Sequence, residues 1–339
     1  MFELPHPRHL VAGLLGLAAV ATLGATGVAS AADNAQCQAD SPSHKPLSEM
    51  TVGFAQAQNL ANPFRAGETA SIRSAAKAAG IKKLVYANAD SDQAKQVSDI
   101  QAMISQGVDA LIVAPLNSTG LQPAFKAARA HHIPVITIDR HTAGKPCRDF
   151  IAFMGSDFHK QAVRAAQQLV KATNGQARIV ELQGAYGNSV ETARTKGFAQ
   201  VIDQHKGMQI VAKQPGDWST TKAQKVMSQI LLSHPDINAV FAQSDNMALG
   251  AIKALQQFGK KPGRDVKIVT IDGVKAVVKK VANGEVAADV ETNPRFGPRA
   301  FSMLAHYADG KPVPEQVIMH DTLYTPDNAA TKLKQGNVY

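Results

Sequence analysis

From Thr51 onward the chain alternates short, β-branched apolar runs with Ala-rich segments of helical length, and that alternation leaves few folds open. The first half reads Thr51 to Gln56, Leu84 to Ala87, Ala110 to Ala114 and Pro134 to Ile138 as strands. The second half repeats the pattern at Phe150 to Met154, Arg178 to Leu182, Gln209 to Ala212, Ala239 to Ala242 and Lys267 to Ile271. Most of these runs are apolar without a break, which indicates burial on both faces. Parallel, doubly wound sheets with helices on either side follow, in an α/β fold of two lobes. Gly80, Gly107, Gly175 and Gly259 stand where helices should stop, and Pro134, Pro235 and Pro262 open the next segments. The irregular stretch Arg140 to Asp149 suits a boundary between the halves.

Composition narrows the function classes. Hydrophobic residues make up 45% and charged residues 19%, enough for a real core. The net charge of +9 is scattered in single residues and pairs such as Lys82-Lys83 and Lys260-Lys261, so nucleic acid is not an expected partner. Two cysteines exclude a disulfide scaffold and any four-cysteine metal site. His6, Arg8 and His9 precede an apolar run from Leu10 to Leu23, and Ala29, Ser30, Ala31 and Ala32 follow. This is the order of a secretory signal, residues 1–31, with cleavage expected after Ala31. No later stretch reaches the roughly 18 apolar residues of a membrane helix. Cys37 stands away from the cleavage point, which argues against a lipid anchor. Residues 32–49 read as a polar, mobile tail. In an oxidising compartment Cys37 and Cys147 either bridge or remain isolated thiols; a bridge over that loop would stabilise by roughly 4 to 5 kcal/mol in the chain-entropy model.

In open parallel sheets ligands bind beyond the carboxyl ends of the strands. The residues there are Asn62, Phe64 and Arg65 after the first run and Asp139 and Arg140 after the fourth. In the second half they are Arg194, Trp218, Ser244 and Asp272. Asp, Asn and Arg can accept from and donate to vicinal hydroxyls in fixed planar geometry, and Phe64 and Trp218 offer flat faces to C–H groups. Two half-sites facing each other across a cleft would suit a sugar. The bland alternative is that strand-end Asn, Asp and Ser residues only cap the next helix. No G-x-S-x-G elbow, H-E-x-x-H or phosphate loop is present in the sequence. Binding is therefore expected and catalysis is not, with no cofactor and no metal, His131-His132 being an ordinary pair at a helix end.

The stretches Asn62-Pro63-Phe64, Thr137 to Arg140, Val180 to Gly184, Arg194 to Phe198, Ser244 to Ala251 and Ile271 to Val274 resemble the type I periplasmic sugar-binding proteins of ABC importers, the ribose/galactose group. Phe64-Arg65-Ala66, the block from Val180 to Phe198, Gly216-Asp217-Trp218 and the ending Thr322 to Asp327 are similar to the galactofuranose binders within that group. The resemblance implies a periplasmic, monomeric binder that delivers a neutral monosaccharide to a membrane permease. It implies that Asp139 and Arg140 grip adjacent hydroxyls, with Phe64 and Arg65 closing one side. Arg194, Trp218, Ser244 and Asp272 would complete the cage, with Thr292 contributing at the hinge. Ser244 stands where such binders commonly carry Asn. Three crossings between lobes are implied near Phe153, Asn293 and Asp321, giving a first lobe of 50–152 plus 294–320 and a second of 153–293 plus 321–339. A receptor that presents a sugar to a chemotaxis or sensor protein is the alternative. A repressor would need a DNA-binding segment where this chain has its export signal, and an enzyme would need Asp139 and Asp272 poised as paired carboxylates.

Overall fold

The computed structural model describes residues 35–339, so the expected signal peptide, 1–31, lies outside the described residues. In chain order the first lobe begins with β1 (Gln36–Cys37), β2 (Thr51–Gln56), α1 (Pro63–Ala78), β3 (Lys83–Asn88), α2 (Gln93–Ser105) and β4 (Ala110–Val113). It continues through α3 (Gln122–Ala130), β5 (Val135–Ile138) and β6 (Ala152–Gly155). The second lobe follows with α4 (Phe158–Thr173), β7 (Ala177–Gln183), α5 (Ser189–Ile202), β8 (Met208–Pro215) and α6 (Thr220–Ser233). Next come β9 (Ala239–Ala242), α7 (Asp245–Gln257), β10 (Lys267–Asp272), α8 (Lys275–Ala282) and β11 (Ala288–Glu291). The chain returns to the first lobe for α9 (Gly297–Ala308), β12 (Val313–Pro314) and β13 (Gln316–Ile318). It ends on the second with β14 (Leu323–Tyr324) and α10 (Ala329–Lys334).

The first sheet has the order β13-β6-β5-β4-β2-β3, and the second β14-β11-β10-β9-β7-β8. Every pairing in them is parallel except β14 against β11. The unbroken apolar runs are explained by what the two faces of each sheet touch. In the first lobe Phe54, Ile112 and Ile136 pack on the side of α1 and α9, while Leu111, Val113 and Val135 pack on the side of α2 and α3. In the second lobe Val180, Val240 and Ile268 face one way and Ile179, Phe241 and Val269 the other. Neighbouring residues of one strand thus enter opposite cores, each burying roughly 1.5 to 3 kcal/mol of side chain.

Two sequence expectations are corrected. The run Phe150 to Met154 was assigned to the second half, but β6 is the first sheet's, paired with β5 and β13. The first crossing therefore follows Gly155, close to the expected position near Phe153 but past the 152/153 bound drawn between the lobes. An apolar run carries no label saying which of two similar sheets will take it. From residue 35 onward the segment expected as a mobile tail is fixed: β1 pairs with β12, the His44 N–H donates to the Ala308 carbonyl, and Lys45 pairs with Asp109 at 2.6 Å. Cys37, buried, is bridged to Cys147 across 110 residues of sequence. Among the described residues no helix is long and apolar enough to cross a membrane.

Candidate functional site

In each lobe the sequence order of strands reverses once, between β2 and β4 in the first sheet and between β7 and β9 in the second. The carboxyl ends at these reversals are where open α/β sheets bind ligands, and here they face each other across one cavity. From the first lobe Asn62, Phe64, Arg65, Asp139 and Arg140 line it; from the second come Arg194, Trp218, Ser244, Asp272 and Thr292, together with Val190, which the sequence reading missed. All ten expected residues therefore meet.

Helix starts put several of these side chains in place. Asn62 caps α1, its Oδ1 accepting from the Phe64 N–H at 3.0 Å, with Pro63 in the first turn where its missing donor costs nothing. Ser244 caps α7 by accepting from the Met247 N–H. The capping role and a place in the cavity wall coincide at both residues. Asp139 (φ 65°), Trp218 (φ 60°) and Asp272 (φ 147°) hold backbone conformations that non-glycine residues seldom adopt. Such strain persists only where the surroundings over-determine it, and it clusters at functional sites. Asp217, next to Trp218, turns outward and pairs with Lys222. Gly184 was singled out only as part of a motif, yet a Cβ there would lie 1.9 Å from the Trp218 ring, so only glycine lets the indole reach its position.

The two half-sites differ in electrostatics. In the first lobe Arg65 is clamped between carboxylates, donating to Glu68 at 2.8 Å and to Asp139 at 2.7 Å, all three buried. Burial alone would lower its pKa, but the two carboxylates outweigh that and raise it. Arg140 donates to the Leu116 carbonyl at 2.9 Å and to Gln58 at 3.2 Å; burial and the adjacent Arg65 push it down, to about 9. Glu68 and Gln58, unnoticed in the sequence, brace these arginines: Glu68 accepts from Arg65, and Gln58 Oε1 accepts from both.

In the second lobe Arg194 is held mainly by neutral acceptors: Gln161 Oε1 at 2.9 Å, Thr292 Oγ1 at 2.7 Å and the Gln243 carbonyl. Asp272 is 3.5 Å away and accepts from the Thr292 hydroxyl at 3.2 Å; burial pushes its carboxyl up to about 6, against the pull of Arg194. Trp218, buried in the cavity wall, leaves its indole N–H without a partner.

At one edge of the cavity lies the hinge. Asp321, in the third crossing, accepts from the Ser156 hydroxyl of the first at 2.8 Å and from the Asn293 N–H of the second at 3.0 Å. Gln161 donates to the same carboxylate at 2.9 Å and so joins it to Arg194 and Thr292. At the opposite edge the lobes meet through Ser118 N–H to the Gly187 carbonyl, Asn188 Nδ2 to the Leu116 carbonyl and Ser189 Oγ to the His141 carbonyl, each at 3.3 Å.

A family model described as the periplasmic binding protein domain matches residues 54–312. The galactofuranose-binding protein YtfQ of Escherichia coli (strain K12) is 34% identical over 291 residues, 84% of this chain and 91% of that protein. The ribose import binding protein RbsB of Bacillus subtilis (strain 168) is 35% identical over 248 residues, 73% of this chain and 78% of that one. Among solved structures, the periplasmic binding protein of the arabinose ABC transporter from Shewanella sp. ANA-3, bound to α and β-L-arabinofuranose, superposes with a TM-score of 0.81 at 34% identity. That match covers 84% of this chain and 95% of the other.

Proposed function

The chain belongs to the periplasmic binding protein domain family, and we propose that its cavity takes a neutral monosaccharide in the five-membered furanose form, of the galactofuranose or arabinofuranose kind, for delivery to a permease. It is a sugar-binding protein of an ABC importer and not an enzyme. The observation that carries the ligand reading is the mixture of signs around one cavity: Arg65, Arg140 and Arg194 converge there with Asp139 and Asp272. A carboxylate or phosphate on the ligand would face two acids at short range, whereas vicinal hydroxyls use donors and acceptors alike. Asp139 and Arg140 grip adjacent hydroxyls, Asp272 and Arg194 take those on the far side, and Phe64 and Trp218 flank the C–H faces. The unpaired indole N–H of Trp218 donates to a sugar oxygen. The furanose form is supported by what two of the similar proteins are named or solved with. The protein works as a monomer, exported and cleaved after Ala31.

A thermal-shift panel of L-arabinose, D-galactose, D-ribose, methyl furanosides, methyl pyranosides and uronic acids tests this, since a ligand of the native state raises the melting point by mass action. Furanosides are expected to stabilise and pyranosides not; a preference for uronic acids overturns the neutral reading, and silence across the panel overturns the sugar reading. Asp139→Ala should weaken the best sugar by about 2 kcal/mol, roughly thirtyfold in Kd by calorimetry, because Arg65 would lose a buried partner.

A further inference from the structure

The turn that carries Asp272 is held from several directions. The Asp272 carbonyl accepts from the Thr292 N–H at 2.8 Å and from the Tyr339 hydroxyl at 2.6 Å. The next two N–H groups go to side chains from other elements: Gly273 donates to Asp289 Oδ1 at 3.1 Å and Val274 to Asp245 Oδ2 at 2.7 Å. Asp245 opens α7, Asp289 lies on β11 beside Thr270 of β10, and both acids are fully buried.

The second oxygen of Asp245 accepts from the Thr270 hydroxyl at 3.0 Å, but Asp289 Oδ2 is buried with no donor facing it. The two carboxyl groups are immediate neighbours: they hold successive N–H groups of one turn, and Thr270, whose hydroxyl Asp245 accepts from, stands beside Asp289 in the sheet. The other titratable groups around them are Asp272 and Glu291 at the ends of β10 and β11, Tyr324 of β14, and Tyr339. The nearby cations are engaged elsewhere, Arg194 toward Asp272 and Arg295 with Glu291 at 2.7 Å. Two ionised carboxylates in contact in a dry interior repel strongly unless a proton lies between them.

We propose that Asp245 and Asp289 share one proton, held between Asp245 and the otherwise unpartnered Asp289 Oδ2, and that this proton positions the Asp272 carboxylate for the ligand. The inference rests on the cavity being the sugar site. With the proton in place every oxygen of the pair has a partner, and the turn is gripped at two successive N–H groups.

Burial is the largest push on both carboxyls; Asp289 and Asp272 raise Asp245 further, while Asp289, drawn down by its hydrogen bond with Asp245, is still pushed up to about 8. An exposed Asp gives up its proton near 4, so between about 4 and 8 the folded chain holds a proton that the unfolded chain does not. The pair's stabilisation is therefore complete in acid and lost as pH rises through about 8, and sugar affinity should fall over the same alkaline range.

Asp289→Asn replaces the proton permanently, since an amide can accept from Gly273 and donate to Asp245 at any pH. With L-arabinose and D-galactose as probes, Kd is measured at pH 6.5 and pH 9 on the full chain. The wild type should weaken about tenfold or more between the two, and Asp289→Asn less than about threefold. A flat wild type, or an equal loss in both proteins, overturns the inference. If neither sugar binds at either pH, the cavity reading fails first, and infrared spectroscopy still tests the proton. A protonated-carboxyl band at pH 7.5 should be present in the wild type, lost by pH 9.5, and reduced at pH 7.5 in Asp289→Asn; a band identical in both proteins overturns it. Asp245→Asn, the mirror replacement, serves if Asp289→Asn does not fold.

Discussion

The two edges of the cavity are built differently. At the hinge one carboxylate, Asp321, receives donors from the other two crossings and from α4, at 2.8 to 3.0 Å, all of them buried or nearly so. At the rim three neutral hydrogen bonds, each 3.3 Å long, join the loops around Leu116, His141 and Gly187. Neutral hydrogen bonds contribute about 1 kcal/mol each at good geometry and less when long. The contrast teaches that the lobes are pivoted firmly and fastened loosely. Closure must therefore be stabilised from inside the cavity, by a ligand that touches both walls and binds the closed form better than the open one.

The sharpest way to break this contrast is Asp321→Ala. It takes the shared acceptor from two buried side-chain donors and one half-buried N–H and should cost about 3 kcal/mol in urea unfolding; a loss below about 1 kcal/mol would mean the crossings are not held by that carboxylate. Gln161→Leu comes next. It keeps the bulk but removes the acceptor that aims Arg194 and the donor that reaches Asp321, so sugar affinity should drop about tenfold. An affinity loss no larger than that of a surface change would uncouple hinge and cavity. The smallest effect belongs to the rim. Asn188→Ser retains a helix cap for α5 but cannot reach the Leu116 carbonyl, so affinity should weaken about threefold, through faster release in stopped-flow, with stability within about 0.5 kcal/mol of the wild type. If Asn188→Ser weakened binding more than Gln161→Leu, the rim and not the hinge would govern closure.

Much of this was legible in the sequence because the fold and the cavity obey the same rule. Continuous apolar runs mark strands buried on both faces, and the polar residues that end them must face the crevice, which is why Asp139 and Asp272 could be read off together. The rest was hidden for identifiable reasons. β11 reads Ala-Asp-Val-Glu, and its two acids conceal a buried strand because Asp289 and Glu291 find partners only in three dimensions. Gln161 and Glu68 sit inside helices, where nothing local distinguishes a polar residue facing a buried network from one facing water. Asp321 stands in a connection whose importance comes from two other connections far away in the chain. The bridge of Cys37 to Cys147 was within reach, since the chain has only those two cysteines, but the pairing of β1 with β12 needed residue 37 to be seen beside residue 313.

That last arrangement has a practical side. Strand β1, its disulfide and its partner β12 all belong to one jaw of the molecule, on the core that contains Val52 and Ile136. A tether attached ahead of Ala35 would pull on that jaw alone and leave the other free to swing. Protein fixed to a sensor chip through its amino end should still bite on its sugar.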